Sequence, residues 1–218
     1  QPRSRGLGDV YKRQDIGGGS TKYALYFNDD IIASGSIPVG GNLATRDVQL
    51  AFDLPQSTAE YLKINEGNVA PPLDGVIEDP IHTPVNEHGF AQPSINRVFL
   101  NHVLRERFSE IFRLVKKQLP HDVKFILGAG VFLCGGSSLM RGINELCQEV
   151  FECHIYMVRD SEAMMLDGRG DDVRMLHQTP QFVTPMGLIR YAELARVERM
   201  KPQPEGFWSR LWSWMGRA

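Results

Sequence analysis

The stretch DIGGGSTKYALYF, residues 15–27, places three consecutive glycines directly before a run that alternates polar and apolar side chains. The alternation predicts a half-buried strand. The glycines admit two readings. They serve either as a plain tight turn or as a cradle in which backbone N–H groups approach an anion. In the second reading Ser20 and Thr21 add hydroxyl donors, and Asp15 is placed to orient the water shell of a magnesium ion.

A second glycine turn lies far along the chain. In GVFLCGGSSLMRGINELCQEVF, residues 130–151, a short apolar strand runs into Gly135-Gly136-Ser137 and then into an amphipathic helix. Glycine there lets a flat ligand lie against the backbone, and a helix N-terminus offers unpaired N–H groups. Strand–Gly-Gly–helix turns also occur as simple packing devices. Two such turns, each beside a strand, are harder to explain by packing alone. Between them, Glu60 and Lys63 stand three apart on one helical face. From the residues alone, a solvated surface pair is favoured over contact with a ribose or adenine edge.

The intervening chain punctuates well. Residues 22–27 and 31–37 flank Asn28-Asp29-Asp30 as a hairpin, and Pro38-Val39-Gly40-Gly41 ends the second strand. Residues 42–52 and 57–66 read as helices. Residues 68–93 are rich in proline and read as short strands and loops. Ser94 is placed to cap a helix reaching Leu119, with Val98, Val103, Leu104, Phe108, Ile111, Phe112 and Val115 on its buried face. Residues 154–158 form a strand, 160–179 a charged loop, 184–199 a helix, and 200–205 a proline-containing linker.

Composition narrows the function classes. The 218 residues are 42% hydrophobic and 23% charged, as in a globular protein with a real core. A net charge of −2 argues against general nucleic-acid binding. No run reaches the roughly 18 apolar residues of a membrane span. Cys134, Cys147 and Cys153 form no C-x-x-C pair and read as buried free thiols in a reducing compartment. The six histidines show no metal spacing. Residues 1–14, QPRSRGLGDVYKRQ, carry a net +3 and show neither helical nor strand periodicity. They are expected to be a non-native leader, with the fold starting at Asp15.

In this order, the elements resemble the actin-like ATPase superfamily, an α/β fold related to ribonuclease H. D-I-G-G-G-S-T is similar to its second phosphate motif and F-L-C-G-G-S-S-L-M-R-G to its adenosine motif. PVGGNLATRDVQLAF with AEYLKINEG, and TPQFVTPMGLIRYAEL, resemble the ribose-side segment and second connecting helix of the FtsA cell-division family. The resemblance runs from Asp15 to the C-terminus. It implies the second half of the actin-like domain: subdomains 2A and 2B with the returning segment of 1A over residues 15–199.

The resemblance also implies ATP and Mg2+ as ligands. Asp15, Gly17, Gly18, Gly19, Ser20 and Thr21 would face phosphates, with Asp15 holding magnesium through water. Gly40, Gly41, Glu60 and Lys63 would line the ribose and adenine side, and Gly135, Gly136 and Ser137 would pack on the adenosine. Lys22 stands where the family usually has an acidic residue. The first phosphate motif and subdomain 1C are not in this sequence, so this fragment is expected not to hydrolyse ATP.

The tail EGFWSRLWSWMGRA can be read on its own. At 100° per residue, Phe207, Trp208, Leu211, Trp212, Trp214 and Met215 share an arc of roughly 160°, with Arg210 among the polar residues opposite. An amphipathic helix (residues 206–218) with three tryptophans, beyond a linker, has the composition of a membrane-interface anchor. The family resemblance implies the same role. It also implies that the C-terminal peptide of the division protein FtsZ docks near Arg107, Glu110 and Lys117. Read without the family, those three are the solvated face of a helix.

The expected function is therefore an ATP-binding adaptor that self-associates into filaments. It would tether FtsZ filaments to membrane lipids on the cytoplasmic face of the inner membrane at the division site, and recruit other division proteins. A PilM-type pilus-assembly adaptor, and a sugar kinase or phosphatase of the same superfamily, are the competing expectations. The tryptophan-rich tail disfavours the first. The second needs a general-base carboxylate from outside this sequence.

Overall fold

The computed structural model describes residues 10–28, 30–72, 79–81, 94–120, 127–158 and 180–200. The expected loop at 160–179, the linker at 201–205 and the tail helix at 206–218 lie outside the described residues, as do most of 68–93 and residues 1–9.

A five-stranded sheet forms the frame, in the order β3-β2-β1-β4-β5. Its members are β1 (Val10–Ile16), β2 (Thr21–Phe27), β3 (Asp30–Ile37), β4 (Val131–Cys134) and β5 (Ile155–Met157). The first three make an antiparallel meander, and β4 and β5 run parallel to β1. Parallel neighbours need crossovers. These are α1 (Gly41–Phe52), α2 (Gln56–Asn65) and α3 (Arg97–Gln118) before β4, and α4 (Ile143–Phe151) before β5. A last helix, α5 (Val183–Met200), follows. This is a partial actin-like fold, as expected.

The β2–β3 hairpin turns where expected, with Asn28 at φ 49° supplying the left-handed residue. Helix α3 is capped by Asn96, whose side chain accepts from the Phe99 N–H, and not by Ser94. Its buried stripe is Leu100, Leu104, Phe108, Ile111, Phe112 and Val115, while Val98 is exposed. Leu100 lies one turn before Leu104 and shares its face, whereas Val98 lies about 120° away from Leu104.

The strand that contains Asp15 begins at Val10, inside the segment expected to be a leader outside the fold. It is the central strand, paired with β2 on one side and β4 on the other. Its inward positions are Val10, Lys12, Gln14 and Ile16, all buried. Lysine and glutamine at alternate inward positions hide the apolar alternation that would have announced a strand. Backbone pairing on both edges overrides the side-chain pattern here.

Burial leaves its mark on both residues. Lys12 Nζ donates to Gln14 Oε1 at 2.7 Å and sits 3.3 Å from the centre of the Phe151 ring. Gln14 Nε2 is buried without a hydrogen-bond partner among the described residues. The opposite sheet face carries an aromatic row in which Tyr11 stacks on Tyr26 at 4.7 Å and Phe132 on Tyr156 at 5.0 Å. Cys134 and Cys147 are buried free thiols, as expected, and Cys153 is half-buried. Burial pushes the first two up to about 12, so they are inert as nucleophiles.

Candidate functional site

The two glycine turns and the Gly40-Gly41 turn meet at the C-terminal end of β1. The Gly17 N–H donates to the Ser20 carbonyl at 3.0 Å and closes the first turn. The Gly41 and Asn42 N–H groups, the first of α1, donate to the carbonyls of Gly17 and Gly18 at 3.0 and 2.8 Å. Those bonds occupy N–H groups that a helix start otherwise leaves unpaired. They require contact closer than a side chain allows. A Cβ at Gly40 would lie 2.4 Å from the Gly17 carbonyl oxygen, and one at Gly41 would lie 2.3 Å from Ser137 Oγ.

The adenosine-type turn seats itself on the same point. Gly135, at φ +88°, would place a Cβ 2.3 Å from Asp15 Oδ1. Its N–H donates to the Pro180 carbonyl at 2.9 Å, and Ser137 Oγ donates to the Gly17 carbonyl at 3.3 Å. Gly17, Gly40, Gly41 and Gly135 therefore serve close packing between turns. Gly19 and Gly136 differ, because a Cβ at either would meet open space. Their bare backbone faces outward.

The α-helix expected directly after Gly135-Gly136 begins later. Gly136–Leu139 form a single 3-10 turn, and α4 starts at Ile143 behind Gly142, at φ +76°. An α-helix N-terminus is therefore not available at this glycine pair. The backbone N–H groups left for an anion are those of Gly18, Gly19 and the start of the 3-10 turn, since the Gly17 N–H is donated to Ser20.

A cleft of about 330 Å³ opens over this junction, within the usual range for small-molecule sites. Gly18, Asn42, Glu60, Lys63, Gly136 and Ser137 are among its lining residues. Residues from all three expected segments are thus brought to one cavity. Glu60 and Lys63 are not the solvated pair that the residues alone suggested. Lys63 is 7% exposed and donates to Glu60 Oε2 at 2.7 Å. It reaches inward because the Gly41 carbonyl and Thr45 Oγ1 offer acceptors there, at 3.3 and 2.9 Å.

Thr21 is placed elsewhere than expected. It is buried on the inward face of β2, and its Oγ1 donates to the Val39 carbonyl at 2.8 Å. Strand alternation turns it away from the glycine loop, so its hydroxyl is taken. Ser20 stays half-buried in the loop and Lys22 is exposed. Asp15 keeps its carboxylate at the end of β1, where Thr184 Oγ1 of α5 donates to Oδ2 at 2.6 Å. Among the described residues no group of three or more His, Cys, Asp or Glu could hold a metal. The donor set fits a magnesium ion held by water, one carboxylate and ligand phosphates, and no all-protein cage.

Sequence reasoning did not single out Asn42, Thr45 or Thr184, nor Gln181, which also lines the cleft. Thr45 lies one helical turn beyond Gly41, which is the spacing that could have flagged it. Thr184 has no local signal, since its partner is at the other end of the chain. Two of the three residues expected to receive a peptide, Arg107 and Glu110, line a separate groove. Arg107 is bonded to Asp47 of α1, at 2.5 and 2.9 Å, and to Glu110. Asp47, His102, Val103, Arg107, Glu110 and Arg113 are among its lining residues, whereas Lys117 is exposed outside it. The residues expected to face a membrane, Phe207 to Met215, lie outside the described residues.

Known proteins resemble this chain in sequence and in fold. Cell division protein FtsA of Neisseria meningitidis serogroup B is 36% identical over 194 residues, covering 88% of this chain and 44% of that protein. That of Escherichia coli K12 is 30% identical over 216 residues, covering 92% and 49%. The chain thus spans about half the length of the curated relatives it matches. The crystal structure of MreB5 of Spiroplasma citri bound to ADP aligns with a TM-score of 0.65 at 21% identity, over 90% of this chain and 57% of that one. That likeness speaks for the actin-like fold. The family profile described as Cell division protein FtsA matches residues 15–187, which hold every glycine turn of the cleft, and the chain belongs to that family.

Proposed function

We propose that this chain is the part of an actin-like cell-division adaptor that holds one side of a nucleotide, with ATP and Mg2+ as its ligands. The observation that carries the proposal is the convergence of Gly18, Gly136, Ser137 and Glu60 on one cleft, beside the bare backbone of Gly19 and Gly136. Asp15, Gly17–Gly19 and Ser20 would meet phosphates and a hydrated magnesium. Gly136 and Ser137 would lie under the nucleoside. A ligand gripped from this side alone binds weakly, since half of its surface stays in solvent.

The adaptor role extends beyond the cleft. The aromatic and basic residues Phe207, Trp208, Arg210, Leu211, Trp212, Trp214 and Met215 would anchor the chain to lipid on the cytoplasmic face of the inner membrane. The groove at Arg107 and Glu110 would receive the FtsZ C-terminal peptide. Filament formation and recruitment of other division proteins complete the role.

Two measurements test the reading. Titration of the 15N-labelled chain with ATP and magnesium is expected to shift the amides of Gly19 and Gly136 saturably, with a millimolar-range Kd of the order expected for few contacts. Shifts confined to other surfaces would sink the nucleotide site. Co-sedimentation with anionic lipid vesicles is expected for the full chain and lost on deleting residues 206–218. Unchanged sedimentation would remove the membrane role.

A further inference from the structure

The two faces of the sheet are treated differently. Val10, Ile16 and Leu25 on the inward face share one core with α1, α3 and α4. The other face carries one large apolar side chain from every strand, in the order Ile31, Tyr26, Tyr11, Phe132, Tyr156. Tyr11 pairs with Tyr26, and Tyr26 pairs with Ile31 because β3 skips Ile32 in its register. A bulge of this kind re-aims a side chain. Phe132 meets Tyr11 edge-on at 5.6 Å and stacks on Tyr156. The ends of the row, Ile31 and Tyr156, are 62% and 47% exposed. Next to the row in register stand Arg13, Ala24 and Ser34, a rim without large apolar groups. An apolar centre with a polar rim is the anatomy of a protein interface.

Helix α5 leaves from the top of this same face, where Thr184 is tied to Asp15. Beyond that tie it is not packed down, since Leu188 and Tyr191 are 65% and 71% exposed. At 100° per residue, Leu188, Tyr191, Ala192 and Ala195 share an arc of about 100°. Arg190 and Glu193, paired at 3.5 Å, lie outside it. Four strand spacings make the aromatic row about 19 Å wide, whereas a helix with its side chains is about 10–12 Å across. One α5 is too narrow to cover the row. Two side by side are wide enough, and Ala192 and Ala195 let two such helices approach closely.

We propose that this open face is a self-association surface and that its occupant is α5 of a second copy of the chain, laid on the aromatic row beside the resident α5. The exchange is reciprocal, so it closes on a two-fold axis and gives a dimer in place of a filament. It rests on neither the nucleotide nor the membrane reading. Each aromatic ring of the row carries roughly 150–250 Å². Half of that, over two rows and two arms, reaches the roughly 1,200 Å² at which stable interfaces begin.

The test is sedimentation velocity of the 218-residue chain over about a hundredfold range of concentration. A monomer–dimer equilibrium is expected, and a chain that stays monomeric throughout overturns the proposal. A face variant, Ile31→Lys with Tyr156→Lys, and an arm variant, Leu188→Glu with Tyr191→Glu, are each expected to weaken the dimer by at least about tenfold. Both alter exposed positions, and an unchanged melting temperature checks each; Tyr191→Ser replaces the arm variant if the paired glutamates melt α5. Mixing the two variants is expected to recover association, because the intact arm of one meets the intact face of the other. A mixture that stays monomeric overturns the arm-on-face contact. A dimer that ignores both variants but is lost on deleting residues 206–218 names the tail as the occupant and overturns it as well.

Discussion

Thr184 Oγ1 donates a 2.6 Å hydrogen bond to Asp15 Oδ2 across 169 positions of sequence. The first turn of α5 is thereby tied to the end of the central strand, beside the glycine loop. The other carboxylate oxygen, Oδ1, faces the bare α-carbon of Gly135. Asp15 is held from two sides, which is what a group orienting a hydrated cation needs.

Asp15→Asn is therefore expected to lower the ratio of ATP affinity with magnesium to that without it, by about tenfold. Thr184→Val, which keeps the charge and loses the tie, is expected to lower it less. Amide-shift titrations with and without magnesium measure both. An unaltered ratio in Asp15→Asn would remove Asp15 from the metal site.

The glycines divide by what surrounds them. Gly40→Ala is expected to destabilise the chain by about 2 kcal/mol or more, because the Cβ meets the Gly17 and Gly18 carbonyl oxygens at 2.4 and 2.6 Å. Gly19→Ala, which meets open space, is expected to change stability by less than about 0.5 kcal/mol and to weaken ATP binding. Urea midpoints and nucleotide titrations separate the two effects. Equal destabilisation would contradict the packing described for the turns.

Stability is expected to rise with pH above neutrality because of Lys12. Burial lowers its pKa in the folded chain from the ordinary 10.5 to about 7. Between those values the unfolded chain binds more protons than the folded one, so raising the pH favours folding. Below pH about 7 both states are protonated and the full penalty of the buried charge is present. Thr-, Met- or Leu-type replacements remove the titration. Thermal melts of Lys12→Met should show a higher Tm than the parent at pH 7 and a flatter slope to pH 9. An equal slope would show that other groups set it.

Arg107 is occupied by Asp47 and Glu110. Asp47→Asn is expected to reduce stability by about 1 kcal/mol, as for a partly exposed pair, while freeing the guanidinium. Binding of an FtsZ C-terminal peptide, read by fluorescence anisotropy, should then tighten in Asp47→Asn and vanish in Arg107→Glu. Affinity that ignores both substitutions would place the peptide elsewhere than this groove.

Most of the frame was legible from local chemistry. Asn28 marked the hairpin, the glycines at 17–19 and 135–136 marked the turns around one strand end, and the stripe from Leu104 to Val115 marked the buried face of α3. Each is a short-range signal, set by backbone freedom or by one helical period. The central strand at Val10–Ile16 was not legible, because Lys12 and Gln14 sit where apolar residues would reveal the period. Only pairing with β2 and β4 makes it a strand.

The site divides in the same way. Sequence alone determined where the backbone could turn tightly beside a strand, which leaves both a plain packing turn and an anion cradle open. Tertiary structure decided what each one does. It buried the Thr21 hydroxyl against Val39 and spent all three donors of Lys63 inside the chain. It left Gly19 and Gly136 open and brought Thr184 to Asp15. Whether a donor is free for a ligand depends on neighbours distant in sequence, and those become fixed only when the elements pack.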